Sequence, residues 1–196
     1  MVDKIESTVY AGRLKDQTVL MTSSSGGAFT ALSDYFLDMG YAVVSAVYNY
    51  DSHTTEFRMI FDKKSRDDAK GSKYMQSKVG DIYLEACEWL RRNPKKKLLF
   101  VGMGCQAEGF RKFAELKHIR DRVYIVDIIC HGSPSPKLWR EYAAFLQKKN
   151  RGNITYLTFK DKRYGWKSPT AYVKINGKEI LITDYVRIFY NQCALR

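Results

Sequence analysis

The sequence predicts an α/β protein: a mostly parallel or mixed sheet covered by helices on both faces, followed by a β-rich C-terminal extension. Two runs carry the first part, Lys97-Leu98-Leu99-Phe100-Val101-Gly102 and Val123-Tyr124-Ile125-Val126-Asp127-Ile128-Ile129. Each is almost continuously apolar, and each is followed by a turn and then a segment with helical periodicity. Strands buried on both faces by flanking helices read this way, whereas half-exposed strands alternate. The second part rests on a change of texture after Asn150, where short strand-like pieces replace helical spacing. The 196 residues are 45% hydrophobic and 28% charged, ordinary values for a globular chain. A domain of that size buries roughly 70% of the surface of its unfolded chain, enough for a real core.

In chain order, Ala28, Phe29, Leu32, Tyr35, Phe36 and Met39 recur at helical spacing, which predicts a helix over 26–39 with Gly40 as its stop. Residues 41–48 then read as a strand. A polar turn at 49–54 leads into a second hairpin arm at 56–61. A short helix is expected at 65–69 and a longer one from about Val79 to Arg92, ended by Pro94. The two buried-strand units follow, with helices from about Gln106 to Leu116 and from about Pro136 to Gln147. Beyond them, 154–159, 171–175 and 179–182 read as strands, with Asn176-Gly177 as a hairpin turn. A last helix is expected from near Asp184. The organisation expected is thus an α/β core over 1–150 and a β-rich extension over 151–196. That final helix has no glycine cap and nothing to fold against, so the native chain is expected to continue.

No apolar run approaches the roughly 20 residues that cross a bilayer, and the N-terminus lacks a basic stretch before an apolar one. A cytoplasmic protein without a membrane association is therefore expected. The net charge is +12, spread along the chain with one cluster at Arg91, Arg92, Lys95, Lys96 and Lys97. There is no nucleic-acid motif and no one-sided basic helix, so nucleic acid is not the expected partner. An anionic cofactor or an acidic protein explains the excess as well. The four cysteines are expected to be reduced, and Cys87 lies on the apolar face of a helix, as a core residue would.

Ligands in open parallel sheets bind at the carboxyl ends of the strands. Four turns can be placed near such an edge. Ser23-Ser24-Ser25-Gly26-Gly27 opens the first helix with hydroxyls and backbone N–H groups suited to a phosphate. Gly71-Ser72-Lys73-Tyr74-Met75-Gln76-Ser77 combines a cation, a phenol, an amide and hydroxyls on a flexible backbone. Gly102-Met103-Gly104-Cys105-Gln106 puts a thiol at a helix start, a setting that suits a metal ligand or nucleophile. Cys130-His131-Gly132-Ser133-Pro134-Ser135-Pro136 puts a second thiol after the next strand, with Ser135 as cap and Pro136 in the first helical turn. If the two strands are neighbours, a crevice lined by Ser25, Lys73, Gln76, Cys105, Gln106, Cys130 and His131 is expected.

Two thiols do not complete a four-iron cluster, and no CxxC pair or histidine spacing suggests zinc. A cysteine hydrolase or transferase, with Cys105 or Cys130 activated by His131, is a competing reading. It lacks an obvious residue to orient the imidazole, and neighbouring side chains seldom point together. A basic binding module without catalysis is a third.

The order and spacing of these turns resemble the coenzyme F420 (deazaflavin) hydrogenase/dehydrogenase beta subunit family. Ser24-Ser25-Gly26-Gly27-Ala28-Phe29, the 71–77 segment and Phe100-Val101-Gly102-Met103-Gly104-Cys105-Gln106 are similar to its first three motifs. In the third the family usually has threonine–proline before the cysteine. Asp127 to Pro136 matches a fourth motif closely, and Phe159-Lys160-Asp161-Lys162 with Gly165-Trp166 a fifth. The resemblance implies an oxidoreductase that binds FAD and exchanges electrons with [4Fe–4S] clusters and with deazaflavin or another acceptor. It also implies a ferredoxin-like module or electron-transfer subunit as partner. Carried onto this sequence, it implies flavin contacts at Ser24, Ser25, Gly26, Gly27, Lys73, Tyr74, Gln76, Ser77, Gln106, His131, Gly132 and Lys162. It implies cluster ligation at Cys105 and Cys130, with the remaining ligands outside this sequence, and assigns no catalytic residue. The sequence taken alone is expected to be inactive.

Overall fold

The computed structural model describes residues 8–130, 132–166 and 170–188. The elements run α1 (Gln17–Thr22), α2 (Ala28–Asp38), β1 (Ala42–Asn49), β2 (Thr54–Ile60), α3 (Lys63–Ala69) and β3 (Ser77–Lys78). They continue with α4 (Ile82–Arg92), β4 (Leu98–Met103), α5 (Gly104–Leu116), β5 (Val123–Ile128) and α6 (Pro136–Asn150). The chain then forms β6 (Ile154–Asp161), β7 (Thr170–Ile175), β8 (Lys178–Leu181) and α7 (Thr183–Ile188).

Five strands form a mixed sheet in the order β3-β2-β1-β4-β5. The β1–β2 hairpin is antiparallel, while β1–β4, β2–β3 and β4–β5 are parallel. The expected adjacency of the two apolar strands is present, with Leu98 beside Val123 and Met103 beside Ile128. Alternation along each strand feeds two cores. Val44, Leu98 and Phe100 face α4 and α5 with Phe110 and Leu90, while Val43, Leu99 and Val101 face α2 with Phe36. Burial on both faces is why β1 and β4 show no polar alternation; β5, expected to be buried likewise, is the edge strand and leaves Tyr124 and Ile128 about half exposed.

A separate antiparallel sheet, β6-β7-β8, carries a third core with α6 and α7. Trp139, Ala143 and Leu146 of α6 pack there against Ile154, Phe159, Val173 and Tyr185, joined by Tyr48 from β1 of the first sheet and by Met75 from the segment before β3.

Boundaries shift where glycine decides. The first long helix begins at Ala28 because Gly27 has φ +79°, and α4 begins at Ile82 because Gly80 has φ +54°. Neither conformation continues a right-handed helix. Conversely α5 starts at Gly104, so Cys105 lies in its first turn, and α6 runs on to Asn150, where Arg151 turns left-handed at φ +50°. Helix α1 has no counterpart in the sequence reading: it is six residues long, capped by the Asp16 carboxylate on the Val19 N–H at 3.0 Å. The expected continuation of the last helix past Ile188, with Phe189, Tyr190, Cys193 and Leu195, lies outside the described residues.

Candidate functional site

At the carboxyl edge of β1, β4 and β5 the structure opens a cavity of about 660 Å³, within the roughly 300–1,000 Å³ range of cofactor pockets. Its walls are the 23–32 turn and helix start, the 69–77 segment, the ends of β4 and β5, and Lys160 of β6. Phe29, Phe57, Val101, Val126 and Ile128 make much of its lining apolar.

One end of the cavity is made of fixed backbone. Gly27 is the N-cap of α2, no side chain caps that end, and Gly27, Ala28, Phe29 and Thr30 all line the cavity. A helix start without a side-chain cap presents N–H groups and the positive end of the helix dipole. Neighbours hold the turn in shape. The Leu14 N–H donates to the Gly26 carbonyl at 2.9 Å. A Cβ on Gly26 would stand 2.5 Å from the Gly12 carbonyl oxygen, and one on Gly27 would overlap the Leu14 side chain. Ser23 donates to the Val19 carbonyl at 2.7 Å and pairs with the Thr30 hydroxyl at 2.9 Å.

The expected site residues fall into three groups. Ser24, Ser25, Gly27, Lys73, Tyr74, Ser77, Gln106, Cys130 and Gly132 line the cavity. Gly26, Gln76, Cys105 and Lys162 do not, and His131 lies outside the described residues. Gln76 is exposed and tied by its backbone N–H to the Pro134 carbonyl at 3.1 Å. Cys105 is exposed at the second position of α5 and is not among the residues that line the cavity, whereas Cys130 is. Helical phase is the reason: the next residue, Gln106, turns inward and takes the place on the cavity wall.

Several lining residues serve the protein itself. The Lys73 ammonium donates to the carbonyls of Ala69, Lys70 and Gly71 at 2.8, 3.0 and 3.2 Å, closing the end of α3. Burial pushes its pKa down to about 7, with nearby Asp68 opposing. Gln106 accepts the Met103 N–H at 3.1 Å through Oε1, and its carbonyl accepts the Tyr83 hydroxyl at 2.8 Å. Lys162, buried beneath the serine turn, donates to the carbonyls of Leu20 at 2.9 Å and Ser25 at 2.7 Å. Its Nζ stands 4.1 Å over the Trp166 ring, and burial lowers its pKa. Lys162 therefore shapes the turn from behind.

The structure adds residues that the sequence reading does not assign to the site. Lys160 lines the cavity, with its ammonium 5.7 Å from the Tyr74 ring centre. Strand alternation in Phe159-Lys160-Asp161-Lys162 separates it from buried Phe159 and is a usable signal. Asp127 is the one carboxylate among the described lining residues, against Lys70, Lys73 and Lys160. That balance favours an anion.

The far end is sulfur-rich and open. Cys130 Sγ lies 3.4 Å from Met103 Sδ and accepts the Gly132 N–H at 3.3 Å, and neighbouring Ile129 is 91% exposed. Among the described residues neither Cys105 nor Cys130 hydrogen-bonds an imidazole, and no three His, Cys, Asp or Glu side chains gather as a metal site.

Comparison with known proteins bears on this arrangement. Residues 9–82 match the N-terminal family model of the coenzyme F420 hydrogenase/dehydrogenase beta subunit. Residues 95–195 match the model that describes the C terminus of the same coenzyme F420 hydrogenase/dehydrogenase beta subunit. A solved structure described as a xenon derivatization of the F420-reducing [NiFe] hydrogenase complex from Methanosarcina barkeri contains a chain of similar fold, with TM-score 0.58 and 17% identity. The similarity covers 89% of this chain and 60% of that one, so this chain spans under two thirds of that relative's length. No curated protein matches the sequence.

Proposed function

The chain belongs to the coenzyme F420 hydrogenase/dehydrogenase beta subunit family, and from that premise we propose that its cavity binds FAD as part of an electron-transferring oxidoreductase. The carrying observation is the glycine-capped start of α2 opening into an apolar cavity. A diphosphate needs N–H donors and positive potential, and an isoalloxazine ring needs apolar walls; the cavity offers the first at one end and the second beside it. Ser24, Ser25 and Gly27 hold the phosphates in this reading, with Ser72 beside them, its Oγ 3.5 Å from that of Ser24. Tyr74, Gln106 and Gly132 border the ring.

When bound, the flavin supplies hydride and one-electron chemistry. The protein's own part is to place it. Lys162 fixes the serine turn, and Gln106 fixes the start of α5 through the Met103 N–H. Lys160, which has no carboxylate partner among the described residues, supplies the cation that faces the anionic ligand. Lys73 takes the lesser role, because carbonyls accept its protons.

The described residues do not fit an iron–sulfur cluster, which takes four ligands, usually cysteines. Cys105 and Cys130 are therefore proposed only as contributors to a cluster completed by other parts of the native protein or by another protein of the assembly. The electron acceptor, deazaflavin or another, belongs to that larger assembly.

Titrating the native protein with FAD and following flavin fluorescence tests this reading. Saturable quenching is expected, weakened several-fold by Lys160→Ala, about 1 kcal/mol for an exposed ion pair, and less so at high salt. Absence of saturable binding, or an unchanged affinity in both Lys160→Ala and Gly27→Val, would refute it.

A further inference from the structure

Behind the cavity lies a chain of aromatic rings with a hydrogen-bond pattern that packing alone does not require. Tyr74 lines the cavity and stands 5.2 Å, centre to centre, from Phe159, which stands 5.4 Å from Trp139. Trp139, fully buried, is 6.2 Å from Tyr48, and Tyr48 is 4.8 Å from Tyr50, which is 41% exposed. Tyr48 itself is buried, at the end of β1.

The hydroxyl of Tyr48 is the junction. The indole N–H of Trp139 can only donate, and it donates to that oxygen at 2.9 Å. Nδ1 of His53 lies 2.8 Å away in the turn after β1, and Gln147 interacts with the same ring; with the ring proton directed to Gln147, Nδ1 is bare and accepts the phenol's own proton. Burial keeps the phenol protonated and the imidazole neutral: it raises the pKa of Tyr48 and lowers that of His53. A phenol whose proton already points at a free base is prepared for one kind of chemistry. Oxidising a tyrosine turns its hydroxyl into a very strong acid, so loss of an electron needs an acceptor for the proton within hydrogen-bond reach.

We propose that Tyr48 is a redox-active tyrosine that gives up an electron through Trp139 and its hydroxyl proton to His53, ending an aromatic route from the cavity to the surface. The oxidant is an oxygen-centred radical arising in the cavity. It takes one electron from Trp139 by way of Tyr74 and a proton from water, and is thereby reduced. The Trp139 radical cation then takes an electron from Tyr48, while the Tyr48 proton moves to His53 Nδ1. A neutral tyrosyl radical and an imidazolium result. A dissolved one-electron reductant such as ascorbate, approaching at Tyr50, returns the electron, and His53 returns the proton. The protein ends unchanged, with the radical consumed before it attacks the cavity wall. The origin of the radical rests on the flavin reading, but the chemistry of Tyr48 does not.

The test oxidises the native protein with light, tris-bipyridine ruthenium and persulfate, freezes it, and records high-field electron paramagnetic resonance. Exposed residues such as Tyr10 and Tyr164 will also give tyrosyl signals. The expected result is an additional, longer-lived tyrosyl component coupled to an exchangeable proton. It should vanish in Tyr48→Phe, with the exposed signals kept and near-ultraviolet circular dichroism confirming the fold. In His53→Asn it should decay at least about tenfold faster, since an amide cannot take the proton. Asparagine tolerates the φ of +50° at position 53, so this second variant keeps the turn. A coupled component surviving in Tyr48→Phe, an unchanged lifetime in His53→Asn, or no such component in the wild type would overturn the proposal. A protein that fails to bind FAD yet shows the component would refute the flavin reading alone.

Discussion

The two ends of the cavity are built in opposite ways. At the serine–glycine end nearly every group is tied down: backbone to backbone from Leu14 to Gly26, side chain to side chain from Ser23 to Thr30, and Lys162 to two carbonyls from below. At the thiol end Cys130 touches a thioether and its own loop, and Ile129 is 91% exposed. A fixed backbone cradle suits a diphosphate, whose charge and size do not change during electron transfer. An open, soft end suits the side of the site that exchanges electrons with something else. In the proposed reading, binding and exchange would be separated along one cavity, and substitutions at the two ends should fail differently.

The largest effect is expected from Gly27→Val. A β-branched residue at φ +79° costs about 1–2 kcal/mol from the backbone alone, and its Cβ would also overlap Leu14. Both the urea midpoint and FAD affinity should fall. Retained FAD affinity in a destabilised Gly27→Val protein would show that the serine–glycine end does not hold the ligand. Lys162→Met should come next. It leaves the Leu20 and Ser25 carbonyls without their buried donor, at a cost of about 1–3 kcal/mol, and loosens the turn. FAD should bind more weakly with the reactivity of Cys130 unchanged, a separation that stopped-flow labelling and fluorescence titration can read side by side.

The smallest effect concerns Lys73, a lining residue whose ammonium is held at the end of α3. Its folded pKa of about 7 lies below the ordinary 10.5, so between those values the unfolded chain holds a proton that the folded chain lacks. Stability contributed through this group therefore rises with pH across that window, and below about 7, where both states are charged, the cost of burying the cation is fully felt. Urea midpoints should climb more steeply with pH in the wild type than in Lys73→Met. Equal slopes would place the Lys73 ammonium in solvent.

The contrast between the ends also explains what is legible in the sequence. The strands at 98–103 and 123–128 follow from apolar runs, but the runs do not tell the two apart: β4 is buried on both faces, while β5 is the edge strand and only Val123 of it is fully covered. The serine–glycine turn and the 71–77 segment are legible too, as cavity walls. Which way a single side chain points leaves no trace in composition. Cys105 and Cys130 stand after equivalent strands, yet Cys105 is locked into the first turn of α5, while Cys130 lies past the end of β5 and outside any helix or strand. One residue of helical phase sends Gln106 inward and Cys105 outward. Lys162, expected as a ligand contact, acts from behind the turn, because β6 places it under α1, a helix too short to announce itself.

The central claim, that this cavity holds the flavin, is tested most directly by labelling the native protein with a thiol reagent with and without FAD and counting modified cysteines by mass spectrometry. Cys130 lines the cavity and Cys105 does not, while both are exposed, so the second thiol is an internal control. At FAD ten times its Kd, modification of Cys130 should slow roughly tenfold, with Cys105 unaffected. Equal rates at Cys130 with and without bound FAD, or protection of Cys105 alone, would contradict the assignment.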